Sequence, residues 1–97
     1  MPLRPPYCSP ADGATTSARP TFERNPYPGA GYYYLRVWTA DQPYNERTRF
    51  IIGERVDGTS YTPRINLPPG RYNWVVWAIN PWHTVMTQGF TRTFDVQ

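Results

Sequence analysis

Alternation of apolar and polar positions dominates this chain. Across residues 31–39, Tyr33, Leu35 and Val37 alternate with Tyr34, Arg36 and Trp38, the period of two that a sheet strand needs. Residues 71–79 carry a second, longer pattern, with Tyr72, Trp74, Val76 and Ala78 on one parity and Asn73, Val75, Trp77 and Ile79 on the other. In residues 90–96, Phe94 and Val96 alternate with Thr93 and Asp95. Shorter strands are expected over 19–24, 49–56 and 59–65. Between them stand turn formers: Ala11-Asp12-Gly13-Ala14, Asn25-Pro26-Tyr27-Pro28-Gly29, Asp57-Gly58 and Asn80-Pro81-Trp82-His83, with a polar loop over 40–48. About seven strands result, and no helical period lasts longer than a turn. The fold class is therefore all-β. Read locally, Asp57-Gly58 closes a hairpin between its flanking strands.

One segment specifies the architecture further. Leu67-Pro68-Pro69-Gly70 is a turn that feeds the strongest strand, with Tyr72 two residues past the glycine. A tyrosine corner has this form: the ring enters the core near the start of a sandwich strand and its hydroxyl bonds to backbone just upstream. The expected fold is a two-sheet antiparallel β-sandwich, with Leu67, Gly70, Tyr72 and Trp74 as its structural residues. The 97 residues suit one domain spanning 1–97. Within it, residues 1–16 are a proline-rich edge strand or linker, because Pro2, Pro5, Pro6 and Pro10 cannot donate to a ladder.

Taken in order, Ser9-Pro10-Ala11-Asp12-Gly13-Ala14, Arg19-Pro20-Thr21-Phe22, Gly29-Ala30 to Val37, Gly58-Thr59-Ser60-Tyr61-Thr62, Leu67 to Trp74 and Phe94-Asp95-Val96 resemble a bacterial fibronectin type III-like, immunoglobulin-like domain over nearly the whole chain. The resemblance implies two packed antiparallel sheets, with the strands at 31–39, 71–79 and 90–96 in one of them. It also implies that the Asp57-Gly58 link crosses between sheets, against the local hairpin reading. One position departs from the pattern. Where such domains commonly carry a core tryptophan, two residues after Phe22, this chain has Arg24. Either the Arg24 stem snorkels outward or the register of that strand is shifted by one. Trp74 then supplies the main core indole.

If Tyr72 points inward, the other parity of its strand points out. Beside the outward residues of 31–39, this sets Tyr34, Arg36, Trp38, Val75, Trp77 and Ile79 on one outer sheet face. Apolar patches of several hundred Å² mark partner surfaces on small soluble domains, and Trp, Tyr and Arg are enriched at binding hot spots. The competing reading is that the segment 41–54 folds over the patch, or that a one-residue slip exchanges the faces. The functional expectation is a non-catalytic protein-binding, adhesion or spacer module using this face. The alternatives are a self-assembling structural subunit of a surface filament or viral coat, and a carbohydrate-binding module.

Partners rank accordingly. Protein, as another copy or a neighbouring domain, comes first because Val75 and Ile79 favour burial by protein. Carbohydrate comes second, with Tyr34, Trp38 and Trp77 as stacking rings but only Asn73 as a nearby amide. Single-stranded nucleic acid comes last, since aromatic stacking is available but the sequence signature of RNA-binding sheets is absent.

Charge adds little. All ten basic residues are arginine, the formal net charge is +3, and the arginines form no run. Catalysis is not expected. His83 and Cys8 are single residues of their kinds in different turn regions, so no zinc set is expected. Ser9, Ser17 and Ser60 lie outside any nucleophile elbow, and no cofactor motif is present. Nor is there an apolar run of signal-peptide or membrane-span length. The expected setting is extracellular or cell-surface as part of a larger protein, a virion component, or the cytosol.

Overall fold

The computed structural model describes residues 8–97. The proline-rich run before Cys8, expected as edge strand or linker, lies outside the described residues. Nine strands form: β1 (Cys8–Ser9), β2 (Ala14–Thr16), β3 (Phe22–Arg24), β4 (Tyr32–Thr39), β5 (Ile52–Val56), β6 (Ser60–Tyr61), β7 (Gly70–Ile79), β8 (Val85–Gln88) and β9 (Arg92–Val96). A small sheet has the order β1-β3-β6, and a large one runs β2-β9-β7-β4-β5. On the edge of β7 away from β4, β9 pairs with Gly70 to Trp74 and β8 pairs with Trp77 to Ile79.

The all-β sandwich and the sheet shared by β4, β7 and β9 match the sequence reading. So does the crossover: β5 pairs with β4 in the large sheet, whereas β6 pairs with β3 in the small one. The link through Asp57-Gly58 therefore changes sheets, and the local hairpin does not form. Residues 8–16 also serve both sheets, since β1 pairs with β3 and β2 runs parallel to β9.

The core lies between the layers. Phe22, Leu35, Val37, Ile52, Leu67, Tyr72, Trp74, Phe94 and Val96 form one buried cluster. Its centre is aromatic: Phe22 meets Trp74 edge-on at 5.2 Å and Phe94 at 5.6 Å, and Tyr72 stacks on Phe94 at 5.5 Å. Trp74 is 1% exposed, as expected of the main core indole. The Tyr72 hydroxyl donates to the Pro68 carbonyl at 2.5 Å, which completes the tyrosine corner.

Arg24 takes the outward course. Its half-buried side chain lies 5.4 Å from the Tyr33 ring centroid, and its Nε donates to the Asn25 carbonyl at 3.2 Å. Beside it is a small open cleft bordered by Phe22, Arg24, Tyr33, Val56 and Tyr61, with about 20 Å³ of space. That admits about one water molecule.

Several strands differ from expectation: the one expected over 19–24 begins only at Phe22, and the one expected over 59–65 is reduced to Ser60–Tyr61. The strand expected over 49–56 begins only at Ile52, and the one expected over 90–96 begins at Arg92. Residues 85–88 form β8, a strand the alternation did not predict. The late start at Ile52 and the added strand β8 shape the surface described next.

Candidate functional site

Register decides what the outer face of the large sheet carries. In the β4–β7 ladder the facing pairs include Tyr32 with Ile79, Tyr34 with Trp77, Arg36 with Val75 and Trp38 with Asn73. All six residues expected on the outer face, Tyr34, Arg36, Trp38, Val75, Trp77 and Ile79, are on these pairs. The intervening pairs, such as Leu35 with Val76 and Val37 with Trp74, point to the core.

The face is not open as expected. Trp38 is 1% exposed, Val75 4% and Ile79 7%. Only Tyr34, Arg36 and Trp77 are half-buried. The cover over Trp38 is the loop between β4 and β5. Its Tyr44 ring lies 4.9 Å from the Trp38 indole and its Phe50 ring 5.8 Å away. This is why the strand starts late: Phe50 leaves the ladder to lie across Trp38.

The loop is held by its own polar groups. Gln42 Nε2 donates to Thr39 Oγ1 at 2.9 Å and to the Arg49 carbonyl at 3.2 Å, while Arg49 N–H donates to Gln42 Oε1 at 2.9 Å. Thr48 Oγ1 donates to the Pro43 carbonyl, and Ile51 N–H returns to the Val37 carbonyl at 2.8 Å.

Arg36 is the organising residue of what remains open. Its guanidinium lies 4.6 Å from the Trp77 ring centroid, 5.1 Å from Phe50 and 5.3 Å from Tyr34, all within cation–π range. Its Nη1 donates to the Tyr44 hydroxyl at 2.7 Å. Among the described residues, the two ion pairs are Arg55–Asp57 and Arg71–Asp95. Arg36 is therefore held by rings and a phenol, with no carboxylate against it among the described residues. Gly53 stands opposite Arg36 on β5 and brings no side chain between Arg36 and Phe50. Asn73, the one amide expected near this face, is already engaged: its Oδ1 accepts from the Thr93 hydroxyl at 2.8 Å.

The most exposed apolar residues lie elsewhere. Trp82 is 80% exposed and Phe90 77%, and Val85 and Met86 between them are also exposed. These residues bracket β8. The sequence signal that could have found them is charge: residues 72–91 contain no Asp, Glu, Lys or Arg. His83, at the tip of the β7–β8 connection, has φ 66° and shares a 2.9 Å hydrogen bond between its Nδ1 and the Tyr32 hydroxyl. It is an exposed turn residue, tethered by that bond.

No family model matches this chain, and no curated protein matches it. Solved structures do. An Fn3-like protein from Clostridium thermocellum superposes with a TM-score of 0.64 at 17% identity, covering 95% of this chain and 94% of that one. The fibronectin(III)-like modules of Clostridium thermocellum CbhA superpose with a TM-score of 0.59 at 11% identity, covering 95% of both chains. The fold is thus that of bacterial fibronectin type III-like domains. At these identities the likeness concerns the fold, and the surface around Arg36 has to be read from this chain itself.

Proposed function

We propose that this chain is a non-catalytic protein-binding module, and that its contact surface is the uncovered part of the outer face: Tyr34, Arg36, Trp77 and the exposed Tyr44. One observation carries the reading. Arg36 sits in an aromatic enclosure with no acidic partner among the described residues. A cation held this way is oriented before binding, which lowers the entropy lost on association. It offers its remaining N–H groups to an anionic group from outside, and Trp and Tyr beside it add area at little conformational cost.

The partner this chemistry fits is a protein segment carrying a carboxylate to meet Arg36, with apolar contacts around it. Carbohydrate fits less well, since Asn73 is occupied and Trp38 is buried. The fold neighbours support a modular, non-catalytic role, and the CbhA modules in particular are parts of a larger protein. An extracellular or surface setting belongs to the same reading.

The experiment is selection of a random peptide library on the wild-type domain, repeated on Trp77→Ser. The expected result is enrichment of acidic peptides on wild type that do not bind Trp77→Ser. Enrichment unchanged by Trp77→Ser, or no enrichment at all, would count against the proposal.

A further inference from the structure

We infer that the free edge of β8 is a self-association site, where a second copy of this chain adds its own β8 antiparallel to extend the large sheet. Among the described residues β8 pairs only with β7. Its far edge therefore presents unpaired backbone N–H and C=O groups, which form a template for another strand.

The other sheet edges are protected in ways this one is not. β1 and β6 are two residues long and β2 is three, too short to hold a partner strand. β5 is longer but carries Glu54 and Arg55, the latter paired to Asp57 at 2.9 Å. β8 has four residues, no proline and no charge, and it lies in the uncharged run 72–91. A formal net charge of +3 keeps two copies apart over most of the surface. Of the edge strands longer than three residues among those described, β8 is the one where two identical strands can align without setting like charges opposite each other.

The flanking residues argue for a second copy over an unrelated strand. Trp82, 80% exposed, precedes β8, and Phe90, 77% exposed, follows it. An antiparallel pairing about a twofold axis brings the Trp82 end of each copy to the Phe90 end of the other, so one contact covers both aromatics twice. Both ends are built. Asn80 Oδ1 accepts from Trp82 N–H at 2.9 Å and Thr84 N–H at 3.0 Å, which fixes the turn that carries Trp82. Gly89 N–H donates to the Val76 carbonyl at 3.0 Å, which fixes the backbone just before Phe90.

The test is the molar mass of the full chain by sedimentation equilibrium, from micromolar to millimolar concentration, with reductant present so that Cys8 cannot link copies. Wild type should pass from one copy to two. Val85→Lys, which places an edge charge at an exposed position, should raise the dissociation constant about tenfold or more with an unchanged melting temperature. Should Val85→Lys unfold, Phe90→Ser must give the same weakening. Arg36→Ser, on β4 and away from β8, should leave the dimer intact. A wild type that stays at one copy at millimolar concentration overturns the inference. So does a dimer that survives the edge variants, or one that is lost only with Arg36→Ser.

Discussion

Arg36 on β4 lies 4.6 Å from the ring of Trp77 on β7, one step diagonal to its ladder partner Val75. The two residues are 41 positions apart in the chain, and only sheet register brings them together. Their contact joins the fold to the proposed binding surface. A slip of one residue in β4 or β7 would send one of them into the core.

The cover over that surface should be separable from the core. Phe50→Ala removes one ring from above Trp38. Full truncation of a core Phe costs about 3–5 kcal/mol. Phe50 is half-buried, so the expected loss is smaller, about 1–3 kcal/mol. Hydrogen exchange at the Ile51 amide, which bonds the Val37 carbonyl, should accelerate strongly. Exchange in the β7–β9 ladder should follow only the global loss of stability.

Tyr72→Phe should cost about 1–2 kcal/mol, because the hydroxyl bond to Pro68 is lost while the ring remains. At roughly 4–8 °C per kcal/mol for a domain of this size, calorimetry should resolve the change. Burial raises the Tyr72 pKa above its ordinary value. The native state therefore holds this proton more tightly than the unfolded chain does. The associated stability is complete below about pH 10, the unfolded value, and is lost as pH climbs through the raised folded value. Tyr72→Phe should flatten that alkaline decline.

The alternation made this corner legible, together with the inward parity of Tyr72, Trp74 and Ala78 and all six outer-face positions. Period two is a local property, and a long strand such as β7 displays it over ten residues. Parity alone left burial of the outer face open, with a fold-over by the segment 41–54 standing beside the exposed reading. Trp38 and Val75 look exposed from their parity. Trp38 is covered because Phe50 and Tyr44 come back across the sheet from a loop with no periodic signal. Strand β8 was missed for a related reason: its register shifts between Ala78 and Ile79, and the bulge breaks the alternation a reader would look for. The charge of Arg24 raised two alternatives, an outward course or a shifted register, and the side chain takes the outward course.

Two glycines should respond differently to a methyl group. At Gly89 an added Cβ would lie 2.5 Å from the Val76 carbonyl oxygen, a backbone atom that cannot swing aside. At Gly58 nothing lies within 4 Å. Gly89→Ala should therefore destabilise by about 1–3 kcal/mol, and Gly58→Ala should stay within about 0.5 kcal/mol of wild type. Urea denaturation of both variants distinguishes them.

Arg71 Nε donates to Asp95 Oδ1 at 2.9 Å across the β7–β9 ladder. That hydrogen bond holds the Asp95 carboxyl below its ordinary pKa. The unfolded chain therefore binds this proton first as the solution is acidified. The contribution is complete above about pH 4, the unfolded value, and disappears as pH falls through the lowered folded value. Asp95→Asn should remove this part of the acid limb. Because the pair is exposed, wild type and variant should converge in high salt.

The central claim concerns the Arg36 surface, and its most direct test is an amide and arginine side-chain NMR footprint of the wild-type domain titrated with an acidic peptide selected on it. Shifts centred on Tyr34, Arg36, Val75 and Trp77, with Tyr44 at the rim and the Arg36 guanidinium resonance moving most, are the predicted result. A footprint centred on β8 or on the cleft beside Arg24, with Arg36 unmoved, would contradict it.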